Sequence, residues 1–233
     1  MKTILTSLVF ALAAVAQPSA ADVLAKYIQA LGGKAALEKV TTRAIKGTVE
    51  NPDDNTHDPF EIYAKAPDKY ILITGTPESG QSFECVNGDS GWAKDPDTGM
   101  HKMAPQEFAL AKMDHDFQRD LRLLDLYPKM SVAGTSKVAD RPAMVIVAAP
   151  ASGSSEKLYF DAETGLLLKR EYERVTFDDG IVPFEIFYDE YQDFDGVKVA
   201  VNIRQTTPDS TVLYTIKEVK FNAPIDDALF NPR

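Results

Sequence analysis

Hydrophobic positions in this chain follow a helical period at the start, a two-residue period over most of its length, and a helical period once more in the middle. After Lys2 comes an unbroken apolar run from Ile4 to Ala16, closed by Gln17-Pro18-Ser19-Ala20-Ala21. Val23, Leu24, Tyr27, Ile28 and Leu31 then recur at the spacing of one helix face, which predicts a helix capped by Asp22 and stopped by Gly32-Gly33. A shorter helix is expected over 34–40, with Ala35, Ala36, Leu37 and Val40 available for burial. From Thr41 the alternation predicts strands near 42–50, 59–66, 69–76, 81–87 and 90–95. Their separators, Ala66-Pro67-Asp68, Pro77-Glu78-Ser79-Gly80 and Asn87-Gly88, carry turn chemistry.

Between Pro105 and Tyr127 the helical period returns in Phe108, Leu110, Ala111, Met113, Phe117, Leu121, Leu124 and Leu126. Asp114-His115-Asp116 divides this stretch and Pro128 ends it. Strands are then expected near 131–138, 142–149, 155–161, 165–177, 182–194, 197–207 and 211–221, punctuated by Gly165, Asp179-Gly180, Asp195-Gly196 and Pro208-Asp209. A last turn of helix is expected from Asp226 to Phe230. Strands joined to their neighbours by short turns make a long antiparallel sheet with one helical excursion. Val197, Val199, Val201 and Ile203 alternate with Lys198, Asn202 and Arg204, whereas Met144-Val145-Ile146-Val147 is apolar on both faces. An apolar sheet face must be covered by a second layer or by a ligand. The predicted helices can cover only part of it, which leaves either a pocket beneath them or a core filled by the chain's own side chains.

At 233 residues, 44% hydrophobic and 26% charged, the chain has the make-up of one soluble globular domain. Its net charge of −10, with no Lys/Arg cluster longer than a pair, argues against nucleic acid as a partner. The apolar run after Lys2 is too short to span a bilayer core, which needs roughly 20 residues, and reads as a secretory signal peptide. Cleavage is expected after Ala16 or after Ala21, giving a single mature domain over 22–233 with no transmembrane segment, exported to the periplasm. Cys85 has no partner in the chain and is expected as a small buried hydrophobe.

Candidate chemistry is sparse. Gly88-Asp89-Ser90-Gly91 spells the tetrapeptide around a trypsin-like serine, but Trp92 follows it and none of His57, His101 and His115 lies in a matching motif. No two His or Cys stand at metal-ligand spacing, and the acidic groups at Asp53-Asp54 with His57-Asp58, Asp114-His115-Asp116, Asp178-Asp179 and Asp226-Asp227 read as solvated turns. Glycine-rich nucleotide loops and calcium loops are missing from the sequence. The chain is therefore expected to be no enzyme, with no catalytic residue, metal or cofactor. The informative group is apolar: Met100, Met103, Phe108, Leu110, Met113 and Phe117 gather around the central excursion, and flexible thioethers with aromatics suit a surface that repacks around variable chains.

Five segments carry a resemblance to a known family. They are Asp58 to Tyr70 with its strand, proline, strand step; Phe83 to Trp92 with Asn87-Gly88 and the tryptophan; Leu158 to Lys169 with its D-x-x-T-G-L turn; Asp193 to Lys198; and the closing Asn222 to Phe230. Together they resemble the LolA/LolB-like lipoprotein-carrier superfamily, and Tyr27 to Gly33 resembles a branch of LolA-like envelope proteins of unassigned role. The resemblance implies a mainly β fold, an unclosed antiparallel β-barrel of about eleven strands whose apolar concave face is covered by helices. It further implies a periplasmic protein of the cell envelope that binds lipid or lipoprotein acyl chains without covalent chemistry, with envelope proteins as possible partners. Lining residues for such a cavity, chosen by strand face, are Ile71, Ile73, Phe83 and Trp92 on the early strands and Phe108, Met113 and Phe117 on the excursion. Val199, Val201, Ile203, Tyr214 and Ile216 complete the set on the late strands. Two other readings stand beside this one: a filled-core interaction or sensor module, and an outer-membrane barrel. The barrel fits poorly with Lys169, Glu171 and Glu173 on one strand face.

Overall fold

The computed structural model describes residues 17–78, 80–95, 99–176 and 180–231. The apolar run from Ile4 to Ala16, Ser79 and the Asp178-Asp179 pair lie outside them. Helix α1 runs Ala20–Ala30 and begins three residues upstream of the expected cap: Ser19, not Asp22, is the N-cap. The Ser19 hydroxyl accepts from the Asp22 amide at 3.2 Å and the Asp22 carboxylate accepts from the Ser19 amide at 2.9 Å, a reciprocal capping box that makes Asp22 its third residue. At the other end Gly32 takes φ +123°, and a Cβ there would stand 2.0 Å from the Gly196 carbonyl oxygen. Only glycine lets the helix end press so closely on that hairpin turn, where the Lys198 amide donates to the Leu31 carbonyl at 2.8 Å. Helix α2 follows at Lys34–Glu38.

Thirteen strands form one antiparallel sheet. They are β1 Thr42–Asn51, β2 Thr56–Lys65, β3 Lys69–Thr76, β4 Gly80–Asn87, β5 Ser90–Asp95, β6 Gly99–Lys102, β7 Lys129–Val138, β8 Arg141–Ala149, β9 Glu156–Asp161, β10 Leu167–Thr176, β11 Gly180–Phe194, β12 Val197–Thr206 and β13 Thr211–Phe221. The alternation in the sequence placed twelve of these; β6, with four residues and no apolar alternation, escaped it and is held by pairing with β5.

In space the order is β6-β5-β4-β3-β2-β1-β13-β12-β11-β10-β9-β8-β7. Two meanders are thus joined by the pairing of β1 with β13, and the sheet does not close, because β6 and β7 are its two free edges. The connection between those edges is the helical excursion: α3 Pro105–Asp114, a 3₁₀ turn Arg119–Arg122 and α4 Leu123–Leu126. A chain leaving one edge and arriving at the other has to cross the mouth of the curled sheet, which is why the central helices lie over its concave face. Burial supports the path. Phe117, Leu123 and Tyr127 from the excursion pack with Val23, Leu24 and Tyr27 of α1 and with Ile146, Ala148, Leu158 and Phe160 of β8 and β9.

The convex face is sealed locally. Ile71, Cys85 and Phe230 form a buried cluster with Tyr63, Ile73, Phe83, Trp92, Ile225 and Leu229, so the C-terminal 3₁₀ turn Asp227–Phe230 caps β3 to β5 from outside. Cys85 sits in this cluster, its thiol donating to the Phe230 carbonyl at 3.4 Å, and burial pushes the thiol pKa up to about 11. A second outer cluster, Ala143, Val145, Tyr159 and Leu168, explains why β8 is apolar on both faces.

Candidate ligand cavity and the charged belt beside it

The concave face divides into two unlike halves. Over β7 to β9 it is filled by α1 and the excursion, as above. Over β1, β2, β3, β12 and β13 the apolar surface is built from strands alone: Val49, Phe60, Val201 and Ile216 are buried, and Ile45, Ile62, Leu72, Val199, Ile203, Val212 and Tyr214 pack around them with no helical residue in the cluster. Gly47 shapes this half. A Cβ on it would stand 2.7 Å from the Phe60 ring, and the bare backbone lets that ring cross β1 to meet Tyr214 edge-on at 5.3 Å.

Between the halves runs a belt of buried charge. Arg170 on β10 donates through Nη2 to Asp114 at the end of α3 (2.8 Å) and through Nε and Nη2 to Glu156 on β9 (3.0 and 2.9 Å). Arg119 donates to the other Glu156 oxygen and to the Tyr127 hydroxyl, each at 2.8 Å. Four residues along the same strand, Arg174 Nη2 lies 2.9 Å from both Glu84 oxygens, and His115 Nε2 lies 2.9 Å from Oε1. The His115 ring stacks on Tyr70 at 3.7 Å.

Burial would raise the Glu84 carboxyl, but His115 and Arg174 outweigh it and hold the group well below the ordinary carboxylate range. Asp114 is likewise held down, burial being overcome by Arg170 and Arg119. For Arg170 burial acts downward, and Glu156 and Asp114 overcome it to raise the guanidinium well above its ordinary value. Paired ions of this kind tie the excursion to β4, β9 and β10.

Two cavities flank the strand-only cluster. One, of about 300 Å³, lies under the excursion and is lined on its apolar side by Ile45, Ile62, Val199 and Ile203 and on its polar side by Arg43, Tyr70, Asp116, Arg119 and Asp120. The other, of about 420 Å³, lies at the far end of the same strands, against Val49, Leu72, Val212, Tyr214 and Glu84. Both fall in the range of small-molecule sites, roughly 300–1,000 Å³.

The twelve residues chosen from the sequence separate by position. Val199 and Ile203 line the first cavity, Tyr214 the second, and Val201 and Ile216 lie in the cluster between them. Phe117 lines the first cavity from the excursion, while Met113 packs against the filled half. Phe108 packs with Val86, Met103 and Ala111. Ile71, Ile73 and Trp92 belong to the convex cluster under the C-terminal turn, and Phe83 packs in that cluster while also bordering the second cavity. Their parity is self-consistent, since Ile71 pairs with Cys85, Ile73 with Phe83, and Cys85 with Trp92. The face is reversed because Tyr70, Leu72 and Val86, the alternate set, are apolar too and point inward.

Arg43, Glu84, Glu156, Arg170 and Arg174 are the site residues that the sequence reading passed over. A signal existed for two: Lys169, Glu171 and Glu185 pair with one another on the outside of β10 and β11, which turns Arg170, Tyr172 and Arg174 inward.

The other candidate motifs are turns, except His57-Asp58, which lies in β2 paired with Val49 and Glu50. Asp53 accepts from the Thr211 amide and Asp54 from the Thr56 amide, Asn87 to Ser90 form the hairpin between β4 and β5, and Asp227 pairs with Lys65 and Lys69. Among the described residues no three His, Cys, Asp or Glu are grouped to hold a metal ion, and no helix is long and apolar enough to cross a membrane.

No family model matches the sequence, and no curated protein matches it. Solved structures do. The fold is similar to that of a LolA superfamily protein from Nitrosomonas europaea, with a TM-score of 0.61 at 11% identity over 93% of this chain and 99% of that one. A DUF1329 family protein from Desulfovibrio piger gives 0.60 at 14% identity, covering 90% of this chain and 95% of that one. An outer-membrane lipoprotein-sorting protein domain, so named, from Vibrio parahaemolyticus gives 0.58 at 11%, covering 89% and 97%. At these identities the likeness is one of fold.

Proposed function

We propose that the protein is a periplasmic carrier of the cell envelope that holds a lipid, or the acyl chains of a lipoprotein, without covalent chemistry. One observation carries this reading: the apolar cluster of β1, β2, β3, β12 and β13 includes no helical residue and has a cavity at each end, so apolar strand surface is left for a ligand beside the cluster. Each methylene withdrawn from water is worth about 0.8 kcal/mol, so such a strip of surface holds a chain without polar contacts along its length. The names borne by the similar folds, a LolA superfamily protein and a lipoprotein-sorting domain, point the same way. In this reading the segment before residue 17 is an export signal, envelope proteins donate and receive the cargo, and no residue is catalytic.

The test is uptake of 1-palmitoyl lysophosphatidylcholine by delipidated protein, compared with the double variant Ile203→Asp, Tyr214→Asp. Both positions are half-buried at cavity walls, so the fold should survive and uptake should be lost. Equal uptake by a folded variant removes the strip from the binding site. The filled half favours a second reading, an interaction module with no lipid, and failure of the wild-type protein to take up any lipid would select it.

A further inference from the structure

Every other arginine of the excursion and the belt has a carboxylate partner. Arg119 holds Glu156, Arg122 holds Asp116, Arg170 holds Glu156 and Asp114, and Arg174 holds Glu84. Arg43 is different. It stands at the start of the concave row of β1, paired in register with Ala64 and Phe221, and its guanidinium lies 4.5 Å above the Phe117 ring in the wall of the 300 Å³ cavity. Among the described residues it makes no hydrogen bond and no ion pair. The cavity's own carboxylates are engaged elsewhere: Asp114 by Arg170, Asp116 by Arg122 and the Gln118 amide, and Asp120 by the Tyr27 hydroxyl at 2.8 Å. A second unmet donor lies in the same wall, since the buried Nε of Arg119 has no partner. With Arg43, Arg119, Arg170 and Lys198 against those three carboxylates, the wall carries one positive charge in excess, His115 not counted.

A half-buried, unpartnered guanidinium at one end of an apolar strip has the chemistry to receive an oxyanion whose remainder is hydrocarbon. We propose that Arg43 reads the carboxylate of a single-chain fatty acid, whose chain runs from Ile45 and Ile62 toward Phe60. The proposal rests on the carrier reading above and names its ligand class. From Arg43 to Val49 the extended strand spans about 20 Å, and the Phe60 ring over Gly47 stands between the cavity at one end and the cavity at the other. Planar, bidentate donation distinguishes a carboxylate from an alcohol or ester of equal length, which meets the same strip without the charge.

The test compares dodecanoate with dodecanol at neutral pH, by isothermal titration into delipidated full-length mature protein, in wild type, Arg43→Gln and Arg43→Lys. Wild type is expected to favour dodecanoate by tenfold or more. In Arg43→Gln that preference should fall to within twofold while dodecanol affinity stays unchanged, and Arg43→Lys should keep part of it. Because Arg43 also stacks on Phe117, folding of each variant is checked by its thermal transition. Should the glutamine variant fail to fold, the wild-type preference and its decline in the lysine variant decide the matter. Equal affinity for both ligands in wild type, or an equal loss of both in Arg43→Gln, would overturn the assignment of Arg43 and leave the carrier reading standing. Binding of neither these ligands nor lysophosphatidylcholine would overturn both.

Discussion

The two halves of the concave face are made by the same kind of strand and end differently. On β8 and β9, Ile146, Ala148, Leu158 and Phe160 point at helices that point back, and the result is close-packed core. On β1, β12 and β13, Ile45, Val49, Ile203 and Tyr214 are as apolar, yet no helical side chain joins their cluster and cavities remain at both ends. The cause is the path of the excursion. It is bound to the sheet through α3, with its Asp114 on Arg170, and through His115 on Glu84 and Arg119 on Glu156, and these bonds fix where it fills the mouth and where it stops. Where helices fill the mouth the face is core; where they stop, cavities remain.

Substitutions in each region should break or sharpen this contrast. The largest effect is expected in the belt: Arg170→Met leaves Glu156 and Asp114 buried without their shared cation and should cost about 3–5 kcal/mol in urea unfolding. Next comes the filled half, where Leu158, with none of its surface exposed, should cost roughly 2–5 kcal/mol when cut to alanine. Ile203→Ala, half-buried on the cavity wall, should cost distinctly less than Leu158→Ala by the same measurement. Equal losses at Leu158 and Ile203 would mean that both halves are filled core.

Acid should weaken the belt. The Glu84 and Asp114 carboxyls are depressed in the folded protein, so the unfolded chain binds more protons in the acid range. Their contribution is complete above the unfolded-state values near pH 4 to 5 and is lost as pH falls through the folded ones. The urea midpoint should therefore drop between about pH 5 and pH 3, and Glu84→Gln, less stable at pH 7, should show a shallower drop. A slope identical to wild type would remove Glu84 from the linkage. The smallest effect is at the start of α1. Ser19→Ala should cost about 1 kcal/mol, and export cleavage after Ala16, which keeps the Ser19 cap, should be the site found by intact-mass measurement of the mature chain. A mature chain beginning at Asp22 would mean that the cap is discarded.

Strand positions were legible in the sequence because alternation and turn chemistry agree at nearly every hairpin, from Asn87-Gly88 to Pro208-Asp209. The inward side of β3 to β5 was not. Both alternate sets are apolar there, and the choice is made by Ile225, Leu229 and Phe230, some 140 residues along the chain from Cys85. Similarly, nothing local marks Arg43 as unpaired or Arg170 as paired; both facts depend on where the excursion brings Asp114, Asp116 and Asp120. His115 carried a local signal, its acidic neighbours, but its ring partner Tyr70 and its ion partner Glu84 come from β3 and β4.

Purification of the protein without detergent, followed by native mass spectrometry with lipid extraction, tests the carrier reading most directly. A near-stoichiometric acyl-lipid adduct is expected on the wild-type protein and is expected to be missing from the folded Ile203→Asp, Tyr214→Asp variant. Protein that emerges empty, and stays empty when fatty acid or lysolipid is added, would contradict it and leave the strand-only half of the sheet as the core of an interaction module.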